Sequence, residues 1–136
     1  MKIVKITRKI EISASHQLYN HKINKDENIE LFGKCINNHG HNYKIFLSLR
    51  GIIDDNGMVM NINTLKKIIN DTIVLNFDHK NLNDHSSFKD KITTTENFAV
   101  VIWDLISNEL GRSGLQYLLH KVKIKETANN SFSYYG

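Results

Sequence analysis

Residues 2–14 alternate with a period of two, and this pattern constrains the fold more than any other stretch. Val4, Ile6, Ile10, Ile12 and Ala14 share one face, while Lys5, Lys9 and Glu11 fall on the other. Residues two apart in an extended chain point to the same side, so the pattern predicts a strand with one face buried. Only Arg8 breaks the apolar stripe. One-sided burial belongs to antiparallel sheets, because parallel strands are covered on both faces. A second strand is expected over 41–52, with Tyr43, Ile45, Leu47 and Leu49 on one face. Asp54-Asp55-Asn56-Gly57 after it is a turn.

The period then changes. Ile62, Leu65, Ile68, Ile69 and Ile73 recur at helical spacing behind a cap at Asn61 or Asn63. Thr93-Thr94-Thr95-Glu96 opens a second helix to about Leu110, with Phe98, Ile102, Leu105 and Ile106 inward, and Gly111 and Gly114 close it. Residues 20–40 and 76–94 are polar and aperiodic and read as loops. A third strand is expected over 117–127, with Leu118, Val122 and Ile124 on one face. Asn129-Asn130 then turns the chain into a short strand over 132–135. The order ββααββ argues for an α+β sandwich with both helices on one sheet face. At 136 residues, without repeats or Gly/Ser linkers, the chain reads as one domain over 1–136.

Composition narrows the function classes. Apolar residues are 40% and charged residues 24%, which supports a packed core and excludes global disorder. No apolar run approaches the roughly 20 residues of a membrane span, and the first residues lack a signal-peptide core. Cys35 is the one cysteine, so no intrachain disulfide forms and a cytoplasmic setting is expected. The net charge is +4, and 15 of the 18 basic residues are Lys. With 18 Ile, 17 Asn and no Pro, these counts fit the drift of an AT-rich genome, so the charge alone specifies no partner. Without aromatic-basic clusters or a recognition-helix pattern in the sequence, nucleic acid is not the expected ligand.

Four groups could carry chemistry. His39-Gly40-His41 places two imidazoles on one side of an extended chain, and His16 extends the apolar face of the first strand. Three neutral imidazoles at neighbouring strand ends would hold a catalytic zinc with its fourth position open. The competing reading is a His-Gly-His turn beside an ordinary strand end. Cys35 can be a nucleophile or base, a small buried side chain, or a fourth ligand closing a structural zinc site in a non-catalytic binding module. Asp78-His79 can be an oriented pair or an exposed one. Glu126, on the face of Val122 and Ile124, can pair with two N–H groups of a heterocycle or end its strand in water. Glu96 has a local role open to it as the partner of Thr93 in a capping box.

Seven ordered motifs carry these residues. Ser13-Ala14-Ser15-His16, Leu31-Phe32-Gly33-Lys34-Cys35, His39-Gly40-His41-Asn42-Tyr43 and Gly57-Met58-Val59-Met60-Asn61 come first. Asp78-His79-Lys80-Asn81-Leu82, Thr94-Thr95-Glu96-Asn97 and Glu126-Thr127 follow. Together, over nearly the whole chain, they resemble the 6-pyruvoyl-tetrahydropterin synthase family, which includes the 6-carboxy-tetrahydropterin synthases of queuosine synthesis. The resemblance implies a tunnelling fold: a four-stranded antiparallel sheet with two helices on one face, three subunits closing a barrel and two trimers forming a homo-hexamer. It implies His16, His39 and His41 as zinc ligands and Cys35, Asp78 and His79 as the proton-transfer groups, the last two from a neighbouring subunit. It implies Glu126 as the pterin anchor, assisted by Thr94, Thr95 and Glu96. The implied substrate is 7,8-dihydroneopterin triphosphate, which loses triphosphate with internal redox transfer and no nicotinamide. The Cys35-to-His39 spacing is the shorter one usual among the carboxy enzymes, while Leu31–Cys35 and Gly57–Asn61 resemble the pyruvoyl type. Both products stay open at this point.

Overall fold

The computed structural model describes residues 1–136. Strand β1 (Ile3–His16) and strand β2 (His39–Ile52) pair antiparallel without a break, from Ile3 opposite Ile52 to His16 opposite His39. Strand β4 (Leu119–Lys125) joins the other edge of β2, and β5 (Ser131–Tyr134) closes that side. A two-residue strand, β3 (Lys80–Asn81), runs parallel to β1 beside Ala14 and Ser15. The sheet is therefore five-stranded and mixed, in the order β3-β1-β2-β4-β5, where a four-stranded antiparallel sheet was expected. The fifth strand comes from the aperiodic stretch after residue 76. Two residues are too few to leave a period in a sequence, and their partner lies more than 60 positions away.

The two expected helices cover one face. Helix α2 (Ile62–Ile69) is capped by Asn61, whose side-chain oxygen accepts from the Asn63 N–H at 2.8 Å. It continues through a π turn (Asn70–Val74) into a last short turn, α3 (Leu75–Phe77). Helix α4 (Thr95–Gly111) packs on β4 and β5. Leu65, Ile69, Ile73, Phe77, Phe98, Ile102 and Ile106 meet Tyr43, Ile45, Leu47, Leu49, Val122 and Ile124, all buried, to form the core. The segment over 20–40 is not simply a loop. It holds helix α1 (Lys25–Phe32), capped by Asn24, and a 3₁₀ turn (Gly33–Ile36). α1 buries only Asn28 among its residues, so it leaves almost no apolar period to read.

Two departures from the sequence pattern have local causes. Between Ser48 and Leu49 the β2–β4 register shifts, so that Lys121 opposes Ser48 and Leu119 opposes Leu49. The extra residue, His120, is a bulge that reverses parity and lets Leu119 and Val122 both face the core. The apolar stripe of β1 is buried only from Ile12 onward. Ile6 and Ile10 are half-buried, and Val4 is exposed. Arg8, the one polar residue in that stripe, lies in a surface hollow with Lys66, Ile69 and Val74, its buried Nε making no hydrogen bond.

Leu47 has no exposed surface and sits on β2, the strand flanked by both long neighbours. Leu47→Ala should lower unfolding stability by about 2–5 kcal/mol through lost transfer energy and a residual cavity. Chemical denaturation checks this, and a loss under about 1 kcal/mol would contradict the core placement.

Candidate functional site

The β1–β2 ladder ends on its histidines. His16 pairs with His39, and His41, two residues further along β2, shares their face of the sheet. The ring centroids lie 4.6 Å apart for His16–His39, 5.2 Å for His16–His41 and 5.1 Å for His39–His41. One nitrogen from each of the three rings falls within 4.8 Å of the other two. His16 Nδ1 lies 2.6 Å from the Thr93 carbonyl oxygen, and His39 Nδ1 lies 2.8 Å from that of Asn37. A carbonyl only accepts, so Nδ1 carries the proton in both rings and the Nε2 lone pair faces the cluster. The Nε2 atoms of His16 and His41 are buried with no hydrogen-bond partner.

Such lone pairs are costly unless a donor or a cation satisfies them, and a carbonyl on the opposite ring nitrogen is the usual support of a metal-binding histidine. Burial lowers the pKa of His16; the Thr93 hydrogen bond opposes this, and the neighbouring His39 and His41 add to the lowering. Burial also lowers that of His41, against the pull of Glu126. Neutral imidazoles are the metal-binding form. The three rings together can hold a metal ion.

Cys35 sits half-buried in the 3₁₀ turn behind α1, entered through Gly33 at φ 55°. Its carbonyl accepts from the Leu18 N–H at 2.9 Å, which ties this turn to the chain two residues beyond His16. Its thiol is not part of the three-histidine cluster, so within this chain the cluster has three donors and the four-ligand closed site does not form.

Asp78 and His79 are an oriented pair. Asp78 Oδ1 accepts from the Ser13 N–H at 2.9 Å and lies 3.0 Å from His79 Nδ1. The Ser13 hydrogen bond is the main reason the Asp78 carboxyl stays below the usual carboxylate range, with His79 adding to it. His79 is the one non-glycine residue with positive φ, at 58°, held by its N–H donating to the Ser13 carbonyl. Such strain persists where surrounding bonds impose it, and it concentrates at functional sites. The His79 side chain is 81% exposed and borders a cavity of about 420 Å³ that His41 also lines.

Glu126 lies one residue past β4, half-buried, and accepts a short hydrogen bond from the Thr95 hydroxyl. Glu126 shares a second cavity, of about 440 Å³, with His41. Beneath it the Tyr43 phenol is pushed well above its ordinary pKa, first by burial and then by the Glu126 charge. The other expected helpers divide. Thr94 is the N-cap of α4, accepting from the Asn97 N–H at 3.3 Å, and Glu96 is exposed in the first turn. The Thr93–Glu96 capping box does not form, because the Thr93 hydroxyl lies 3.2 Å from both the Gln17 carbonyl and Asn83 Oδ1. The Thr93 and Asn37 carbonyls that orient the His16 and His39 rings carried no signal in the sequence, since any residue supplies a backbone carbonyl.

The family model described as 6-pyruvoyl tetrahydropterin synthase matches residues 5–136. A human protein named 6-pyruvoyl tetrahydrobiopterin synthase is 46% identical over 135 residues, covering 96% of this chain and 90% of its own length. The solved structure of the Caenorhabditis elegans 6-pyruvoyl tetrahydropterin synthase superposes with a TM-score of 0.92 at 37% identity, covering 100% of this chain and 97% of that one. A Bacillus subtilis 6-carboxy-5,6,7,8-tetrahydropterin synthase is 31% identical over 122 residues, 80% of this chain and 81% of its own. With the histidine cluster on the shared fold and matches of this extent, the chain belongs to the 6-pyruvoyl tetrahydropterin synthase family.

Proposed function

We propose that this chain is a zinc-dependent lyase that converts 7,8-dihydroneopterin triphosphate into 6-pyruvoyl-tetrahydropterin with loss of triphosphate. The observation that carries this reading is the pair of buried, unpartnered Nε2 atoms of His16 and His41 in the three-histidine cluster. The higher identity to the pyruvoyl-named relative than to the carboxy-named one favours the pyruvoyl product. The second reading is the 6-carboxy product with release of acetaldehyde, favoured by the short spacing from Cys35 to His39. The mass of the product distinguishes the two.

Zinc, when held by His16, His39 and His41, supplies Lewis acidity to the side-chain hydroxyls of the substrate. Glu126 accepts from N–H groups of the pterin ring, and the Thr95 hydroxyl on one of its oxygens fixes the plane of the carboxylate. Asp78, itself pinned by Ser13, takes the Nδ1–H of His79 and leaves His79 Nε2 free to carry a proton. Cys35 is the other proton carrier. The side chain of the substrate is oxidised as the ring is reduced, so electrons balance without nicotinamide. A single unpaired thiol suits a reducing cytoplasm, and no helix is long and apolar enough to cross a membrane.

The reading includes a homo-hexamer. β3 covers β1 only at Ala14 and Ser15, leaving the edge of β1 unpaired over most of its length, and β5 has no outer neighbour. Ile3, Val4 and Ile52 are exposed at that end of the sheet. Pairing free edges between subunits into a barrel covers both liabilities and lets one subunit's His79 approach a neighbour's Cys35.

Three outcomes are expected. The purified protein should hold about one zinc per chain, and His16→Ala should lower metal content and abolish turnover. Metal analysis decides this, and full occupancy in a variant lacking both His39 and His41 would overturn the ligand set. Cys35→Ala should keep its zinc and its substrate affinity while kcat falls about 10²–10⁴-fold. Glu126→Gln should instead mainly raise KM, because it puts a donor where an acceptor is needed. Zinc loss in the cysteine variant would make Cys35 a ligand, and an unchanged KM in the glutamate variant would remove the pterin anchor. Sedimentation should show a hexamer, and a fully active monomer would contradict the shared site.

A further inference from the structure

The sequence holds seven histidines, and the reaction assigned above uses four of them. Of the other three, His85 is the one whose ring nitrogens are both engaged. It lies half-buried in the polar stretch that follows His79. Its Nδ1 accepts from the Ser87 N–H at 3.1 Å and so caps a 3₁₀ turn (Ser86–Phe88). Its Nε2 lies 3.1 Å from Asn76 Oδ1. The Asn76 amide nitrogen donates to the Thr72 carbonyl at 2.8 Å, which leaves Oδ1 facing the imidazole. An amide oxygen only accepts and a backbone N–H only donates, so the ring is neutral with its proton on Nε2. Burial lowers the His85 pKa and favours that form, and the Lys80 charge adds to the lowering. The imidazole also packs on Phe77, the ring centroids 4.6 Å apart.

The bond from His85 to Asn76 closes a loop, and Asp78 and His79 stand inside it. Asn76 and Phe77 end α3 directly before the pair, and β3 begins directly after it. β1 grips the middle of this loop, through the Ser13 N–H on Asp78 Oδ1 and the Ser13 carbonyl on the His79 N–H. His85 grips its entrance, holding Asn76 by a hydrogen bond and Phe77 by contact. Lys80 braces the same end from the other side, its Nζ donating to the Leu75 carbonyl at 2.7 Å. A φ of 58° at His79 persists only where the surroundings over-determine it. The His79 side chain is 81% exposed and bonds only to Asp78, so the loop decides where the ring points.

We propose that His85 is a positioning residue for the reaction: it clasps the Asn76–Phe77 end of the loop and so holds the Asp78–His79 pair in the direction that proton transfer needs. The proposal rests on the proton-carrier role given to His79 above and adds the residue that aims it. His85 itself lies outside the three-histidine cluster and acts only through the loop.

Mutant cycles on the zinc-loaded protein test this, read as kcat and KM for 7,8-dihydroneopterin triphosphate, with metal content and assembly measured for each variant. His85→Phe keeps a ring against Phe77 and removes both hydrogen bonds. It should lower kcat by about 10–100-fold, since a misplacement of about 1 Å costs up to 10²-fold, and leave KM and zinc within about 2-fold. Asn76→Ala breaks the same clasp from the other side and should cost a similar factor. The double variant should be no slower than the worse single one, because both remove one bond. In a His79→Ala background, His85→Phe should lower the residual kcat by less than about 2-fold, there being no imidazole left to aim. Should His85→Phe fold poorly, Asn76→Ala with His79→Ala gives the same cycle. Wild-type kcat in both clasp variants, with His79→Ala slow, would overturn the clasp and leave the His79 role standing. An equal fall in the presence and absence of His79 would also overturn it, as the clasp would then hold the fold and not the pair. Wild-type kcat in His79→Ala would overturn the proton-carrier role, and the clasp with it.

Discussion

The uninterrupted antiparallel ladder between β1 and β2 is the constraint on which the rest depends. It runs from Ile3–Ile52 to His16–His39, and it decides two things together. It places Tyr43, Ile45, Leu47 and Leu49 under the helices, and it sets His16 against His39 with His41 on the same face. A slip of one residue would send every one of these side chains to the opposite face. The core therefore enforces the register, and the register assembles the cluster. The hydrophobic effect positions the three imidazoles without acting on them directly.

The helix layer completes what the ladder begins. Thr94 stops the chain with a cap, and that conformation delivers the carbonyl of the residue before it to His16 Nδ1 and the hydroxyl of the residue after it to Glu126. Three consecutive threonines thus do three jobs: Thr93 orients the His16 ring through its backbone, Thr94 caps α4, and Thr95 steadies a carboxylate. On the far side, the Ser13 N–H and carbonyl hold Asp78 and His79 against β1, and the positive φ of His79 follows from being pinned there.

Much of the site could be read from residue order. The histidines, Cys35, the Asp78-His79 pair and Glu126 stood in motifs whose spacing marked them. The structure brings His16, His39 and His41 together, orients His79 on Asp78 and joins Thr95 to Glu126. It leaves Glu96 in solvent and spends Thr94 on a cap. The carbonyls of Asn37 and Thr93 were invisible because every residue has one. The clasp of His85 on Asn76 was equally hidden, since the two meet only through the folding of an aperiodic stretch.

By itself the sequence determined what local periodicity can encode: two long one-sided strands, two amphipathic helices opening near Asn61–Asn63 and at the Thr93–Thr95 run, and a short closing hairpin. Each follows from the spacing of apolar residues along a single segment, where neighbours in sequence are neighbours in space. Tertiary structure decided the parallel strand β3, helix α1 with its one buried residue and the bulge at His120. None of these has a period of its own. β3 and the bulge depend on partners distant in sequence, and such contacts leave no regular mark in the order of residues, while α1 is held by the Asn24 and Asn28 side chains on its own flank rather than by an apolar stripe.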